Sequence, residues 1–229
     1  MVKPLDRSIS VLHHELAVMS GYIERSIDNM DRIIKTRDRA LIEQVLADDE
    51  LIDQAEKRLE QLCTCTIARY KPSAQDLREI TAIFKIITDL ERIGDHCSDI
   101  ALLIRDIGEE PYVKVLIHIP AMTTAVKGMV RDAIDCFILK DIALARNVYE
   151  RDDVVDELYR VVQQELLTIM QRDGQTVHQG MLLWMTAKYL ERMADHATNV
   201  CEWIMYHVTG RRSMDEAAAC VALDAIEQG

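Results

Sequence analysis

The chain has 229 residues and a mass of 26.2 kDa, enough to bury roughly 70–75% of its unfolded surface in one large or two small domains. Hydrophobic residues make up 49% but aromatic residues only 5%, with 8 glycines and 4 prolines; so few helix breakers and strand-favouring aromatics point to long helices and argue against an all-β or Rossmann-type fold. Against 39 Asp and Glu stand 27 Lys and Arg, a net charge of −12, which repels nucleic-acid phosphates and anionic lipid alike.

No run approaches the roughly 18–20 apolar residues of a membrane span, the best short one being Ala101-Leu102-Leu103-Ile104. The opening MVKPLDRSISVLHHEL lacks the apolar stretch of a signal peptide, so the expectation is a soluble, cytoplasmic protein without direct membrane insertion. Cys63, Cys65, Cys97, Cys136, Cys201 and Cys220 are scattered among apolar residues, which favours buried, reduced thiols over disulfides.

In chain order, a first helix is expected from Pro4 to about Lys35, with a polar break at Thr36-Arg37-Asp38. A second runs to Tyr70, where Lys71-Pro72-Ser73 ends it. Ser73 with Asp76 three residues on resembles a capping box and opens a third, which stops at Gly108. Gly108-Glu109-Glu110-Pro111 begins a linker over residues 109–119. A fourth helix runs from near Pro120 to Leu139 and a fifth from Asp141 to about Gln171. Arg172-Asp173-Gly174-Gln175 turns into a sixth, from about Thr176 to Val208.

The two halves repeat. LERIGDH at Leu90–His96 returns as LERMADH at Leu190–His196, DDELID at Asp48–Asp53 answers RDDVVD at Arg151–Asp156, and IERSID at Ile23–Asp28 answers VRDAID at Val130–Asp135. Three blocks in the same order mean a duplicated unit. The fold class expected is therefore all-α, a tandem pair of antiparallel three-helix bundles over residues 1–108 and 120–210, with a tail over 211–229. Within that tail, Met214 to Gln228 reads either as one short helix or as disordered chain.

Stepping about 100° per residue from Leu90 gathers Ile83, Ile86, Ile87, Ile93, Gly94, Cys97, Ala101 and Ile104 on one core face. Gly94 and Ala194, small at equivalent positions, fit a close helix approach. Glu91, Asp95 and Asp99 stack at i, i+4, i+8 on the flank of that face, and Glu191, Asp195 and Asn199 repeat the column. The second helix of each half adds Asp49 with Asp53 and Asp152 with Asp156. An isolated acidic pair on a helix is ordinarily a solvated exterior. Preservation of both pairs in both halves weighs instead for carboxylates that face one another across neighbouring helices and need a cation or raised pKa values to coexist. All-oxygen ligands favour hard cations such as Mg²⁺, Ca²⁺, Mn²⁺ or iron over zinc. His96 and His196, rotated off the column, read as surface histidines, and Arg92 and Arg192 as ion-pair partners of nearby acids. Trp203, with Tyr206 and His207, marks either a dimer or partner surface or a semi-exposed aromatic.

Neither Glu91 nor Glu191 has a His three residues on, as inward-facing di-iron sites require. No P-loop, dinucleotide-binding glycine turn, GxSxG or HExxH is present. Catalysis thus has no motif, though a surface di-metal enzyme acting on phosphoesters and a plain helical dimerisation module stay open as alternatives.

At the paired LERIGD and LERMAD helices, with PSAQDLREI at Pro72–Ile80 before the first and NVCEWIMYHVTG at Asn199–Gly210 closing the second, the chain resembles the PhoU family of bacterial phosphate-uptake regulators over nearly its whole length. The resemblance implies a cytoplasmic homodimer, not an enzyme, that represses the phosphate-starvation response between a phosphate ABC transporter and a sensor histidine kinase, or regulates another phosphate permease. It also implies a multinuclear cluster of iron, manganese, zinc or magnesium in each half. One cluster would fall to Asp49, Asp53, Glu91 and Asp95, with Asp99 possible, and the other to Asp152, Asp156, Glu191 and Asp195. Asn199 in place of Asp99 would then make the two unequal.

Overall fold

A computed structural model describes residues 3–212; the expectations for Cys220 and for Met214–Gln228 lie outside them. Six long helices are found: α1 (Pro4–Thr36), α2 (Arg39–Tyr70), α3 (Ala74–Ile107), α4 (His118–Leu139), α5 (Ile142–Arg172) and α6 (Val177–Thr209). None is long and apolar enough to cross a membrane. The ends follow from local chemistry. Asp38 accepts from the Ala40 amide at 2.9 Å and Asp141 from those of Ala143 and Leu144, capping α2 and α5. Arg37, Lys71, Lys140 and Gly210 close four helices in the left-handed conformation. The expected Ser73 box is not made: its hydroxyl donates to the Asp76 carboxylate at 2.8 Å and leaves the backbone uncapped. α4 starts two residues before Pro120, which sits harmlessly in the first turn.

Within each repeat the helices pack as an antiparallel bundle, and the two bundles join mainly where α3 lies against α6. The whole expected α3 face, from Ile83 to Ile104, is buried. His96 and His196 are not surface residues: they meet in the α3–α6 seam with ring centroids 5.7 Å apart. His96 stacks on Tyr189 at 5.0 Å, while Asp89 receives His196 Nδ1 at 2.9 Å and Asn199 Nδ2 at 3.3 Å. Residue 89 meeting 196 and 199, while 96 meets 189, makes the two helices antiparallel. At one end of the seam Glu79 of α3 gathers His13 of α1 (3.0 Å), Lys140 after α4 (3.4 Å) and the buried His207 of α6 (3.9 Å). The His13 hydrogen bond, against burial, holds that carboxyl down near a pKa of about 2. Trp203 is half-buried between Arg212, 4.0 Å from its ring, and Lys85. The linker is pinned from both repeats, by Arg37 over the Tyr112 ring at 3.8 Å and by Gln179, which bonds Val113 N and Pro111 O. Cys63, Cys97, Cys136 and Cys201 are buried free thiols as expected, whereas Cys65, on the outer side of α2, is exposed.

Aligning the repeats by their sequence blocks exposes two compensated exchanges. Arg25 of α1 makes a two-pronged ion pair with the fully buried Asp48 of α2, at 2.8 and 2.6 Å; at the same places in the second repeat stand Asp132 and Arg151, paired with the charges reversed. Removing Arg25, itself 46% exposed, strands the charge of the fully buried Asp48. Arg25→Ala should therefore lower stability by about 2–4 kcal/mol, Asp48→Arg, which sets two cations against each other, by at least as much, and Arg25→Asp with Asp48→Arg should recover more than half of the Asp48→Arg loss in a denaturant titration. A swap no better than Asp48→Arg alone would show that the pair is not portable between repeats. Likewise, a methyl on Gly94 would meet Ile52 Cδ1 at 2.9 Å and Cγ2 at 3.2 Å, and the second repeat has Ala194 and the shorter Val155 at the aligned positions. A double-mutant cycle of Gly94→Ala and Ile52→Val should show favourable coupling of about 1 kcal/mol; additive effects would remove the contact as the determinant of α2–α3 spacing.

Candidate metal centre

That spacing positions the acidic residues. With Gly94 admitting Ile52, α2 and α3 come close enough for carboxylates on their shared flank to face each other. Asp53, Glu91 and Asp95 each offer an oxygen within 4.8 Å of the other two. Asp49 lies alongside: burial first, then the charges of Asp95, Asp53 and Asp99, push its carboxyl up to about 6. Glu91 is pushed to about 7 by burial and by Asp95, Glu56 and Asp53. One oxygen of each, Asp49 Oδ1 and Glu91 Oε2, is buried without a hydrogen-bond donor, although Arg92 Nε stands 3.3 Å from Glu91 Oε2 without hydrogen-bond alignment. Arg92 instead bonds Asp95 at 2.8 Å, in keeping with its expected ion-pair role. Unpaired carboxylate oxygens converging from two helices suit a hard cation.

Asp99 is separate from this trio. It is 43% exposed, 3.5 Å from His96 Nδ1, and after burial its charge is what raises the Tyr189 hydroxyl pKa across the seam. Asn199 is likewise turned to Asp89. The Asp99/Asn199 difference thus falls at the seam, although the charge of Asp99 still reaches Asp49. Glu56, one turn beyond Asp53, does face them; its i, i+3 spacing from Asp53 is the signal that could have found it.

In the second repeat Asp152 is pushed to about 6 by burial and by Asp195, Asp156, Asp153 and Glu191, and Asp195 is raised by burial and Glu191. The four residues expected there are therefore neighbours. Among the described residues, however, no triad with the tight spacing of Asp53, Glu91 and Asp95 forms, and Lys188 Nζ takes both Glu191 oxygens at 2.6 Å. Asp156 is 4.0 Å from Arg160, as its counterpart Asp53 is 3.5 Å from Lys57.

The duplicated helical unit is matched by comparison with known proteins. A family model of the PhoU domain matches twice, over residues 16–104 and 119–204. The chain belongs to the PhoU family. It is 36% identical over 211 residues to the phosphate-specific transport system accessory protein PhoU homolog of Clostridium acetobutylicum, covering 92% of this chain and 96% of that one. To the homolog of Aquifex aeolicus it is 37% identical over 188 residues, covering 82% and 85%. The crystal structure of PhoU from Pseudomonas aeruginosa superposes with a TM-score of 0.85 at 31% identity, over 90% of this chain and 99% of the other.

The raised carboxyls carry a pH signature. A group whose pKa is higher folded than unfolded holds its proton better in the native state, so stability falls as pH rises through that range. For Glu91 the penalty is absent below about pH 4.5 and complete above about pH 7. Buried His96 and His207, with lowered pKa values, pull the opposite way below about pH 6.5, so the test is a difference. In chelator-treated protein, Glu91→Gln should match the parent near pH 5 and exceed it in denaturant midpoint at pH 8. A constant difference across that range would mean that Glu91 is not strained by its acidic neighbours.

Proposed function

We propose that this protein is a negative regulator of phosphate uptake and of phosphate-starvation signalling, a non-enzymatic cytoplasmic adaptor between a phosphate ABC transporter and a sensor histidine kinase. What carries the reading is the duplicated PhoU domain over most of the chain, with relatives named as accessory proteins of the phosphate-specific transport system. The working form is a homodimer. Its two domains are the bundles over 1–108 and 120–210, joined by the linker 109–119 and followed by the tail 211–229.

The acidic flanks are the proposed cation sites: Asp49, Asp53, Glu91 and Asp95 in the first repeat, and Asp152, Asp156, Glu191 and Asp195 in the second. Iron, manganese, zinc or magnesium would cancel repulsion that hydrogen bonds leave unrelieved, and so fix the α2–α3 and α5–α6 faces in the shape that docks partners. Asp99 and Asn199 would act through the seam between the repeats, not as ligands.

Deleting the gene should switch on a phosphate-starvation reporter in phosphate-rich medium, and the intact gene should silence it again. Glu91→Ala with Asp95→Ala should lower bound metal and fail to silence it. An unchanged reporter on deletion would sink the regulatory reading, unchanged metal and repression in the variant would remove the cation step, and metal-dependent turnover of a phosphoester would replace the adaptor with an enzyme.

A further inference from the structure

We infer that Lys188 serves as the resident cation of the second acidic cluster, so that the two repeats take metal unequally, the first binding a divalent ion tightly and the second only against a built-in ammonium. The inference rests on the reading of both clusters as cation sites and goes beyond it.

Three positions differ together between the repeats. Where the first has Phe84, Thr88 and Glu56, the second has Trp184, Lys188 and Tyr159. The three second-repeat residues touch. Trp184 Nε1 donates to the Tyr159 hydroxyl at 3.0 Å, Lys188 Nζ sits 5.3 Å from the centre of the Tyr159 ring, and the same ammonium bonds both oxygens of Glu191, itself only 14% exposed. The ring thus supports the ammonium from one side through its π face while the carboxylate holds it from the other. In the first repeat Glu56 adds a carboxylate beside Glu91 and Asp53 where Tyr159 adds none. Lys57 beside Asp53 answers to Arg160 beside Asp156. Arg92 bonds Asp95 at 2.8 Å and stands 3.3 Å from Glu91 without hydrogen-bond alignment, whereas the charge of its counterpart Arg192 acts on His96 and Tyr189 in the seam. The second cluster therefore has one carboxylate fewer, and its cation holds both oxygens of the glutamate rather than one of an aspartate. A divalent ion entering it must displace the ammonium or share the site with it, and like charges a few ångströms apart in a half-buried site repel strongly. The different condition of the two glutamates agrees: Glu91 Oε2 has no hydrogen-bond donor, whereas both Glu191 oxygens have one.

The test is calorimetric titration of the full-length, chelator-treated protein with Mn²⁺, using Glu91→Gln and Glu191→Gln to assign each binding class to its repeat. In the parent, the class lost in Glu91→Gln should be about tenfold or more tighter than the class lost in Glu191→Gln. Lys188→Thr, which installs the first repeat's residue, should tighten the Glu191-dependent class by about tenfold or more. Lys188→Met, which keeps a stem over Tyr159, should do the same, and Thr88→Lys should weaken the Glu91-dependent class. Thermal midpoints of the metal-free variants check that each is folded. Equally tight classes in the parent, or a Glu191-dependent class that moves less than about twofold in both folded Lys188 variants, would overturn the role of Lys188 and leave the cation sites standing. No Mn²⁺ binding in the parent or in any variant would remove the cation sites and this inference with them.

Discussion

The crowding of carboxylates where the second and third helices of a repeat meet is the constraint on which the rest of this molecule turns. Hydrophobic burial drives α2 onto α3 through Ile52, Leu59 and the Ile83–Ile104 face, and the missing side chain at Gly94 lets the two backbones come close. The closer they come, the harder Asp49, Asp53, Glu91 and Asp95 are pressed together. Burial and mutual repulsion lift Asp49 and Glu91 to about 6 and 7, a pH range in which a carboxylate sheds its proton readily once a cation replaces it. Apolar packing and electrostatic strain are thus opposed within one interface, and the raised carboxyls are the mark of that opposition.

Duplication makes the molecule its own comparison. Exchanges that preserve a contact come in compensated pairs, as with Arg25–Asp48 against Asp132–Arg151 and Gly94–Ile52 against Ala194–Val155. A buried pair can reverse its signs and still fill the same place, because what the interior demands is neutrality and shape rather than a particular residue. The exchange around the acidic flank is of another kind. Glu56 to Tyr159 and Thr88 to Lys188 change the net charge in the same direction and compensate nothing. The core contacts of the two bundles have been kept while the electrical character of their outer faces has been allowed to separate.

The helices were legible because their ends are written in proline, glycine and aspartate, and the α3 core face because its apolar spacing is regular over about six turns. The left-handed ends at Arg37, Lys71 and Lys140 carry no such signal, being imposed by where the next helix must go. The acidic trio was legible because its spacing is preserved in both halves. A wheel drawn on one helix distinguishes its own core from everything else, but not water from a second bundle. For that reason His96 and His196 read as exterior yet lie in the seam, and Asp99 and Asn199 continue the acidic column in sequence while reaching His96 and Asp89 in the seam. Lys188 was hidden for a related reason: its role is defined by Tyr159 on another helix and by the absence of a counterpart at Thr88.

The seam also explains how a charge placed on an outer flank can be felt by the other repeat. Asp95 precedes His96 and Asp195 precedes His196, so the two residues of each pair lie about 100° apart around the helix, one on the acidic flank and one toward the partner bundle. His96 stacks on Tyr189, only one residue from Lys188, and Asp89 receives both His196 and Asn199. A shift of α3 that accommodates an ion between Glu91 and Asp95 would carry His96 and Asp89 with it, and their contacts are polar, directional and half-buried rather than slippery and apolar. Such contacts have discrete arrangements in a way that a purely hydrophobic interface does not. The polar seam therefore links the helix that carries each acidic flank to the other bundle through directional contacts.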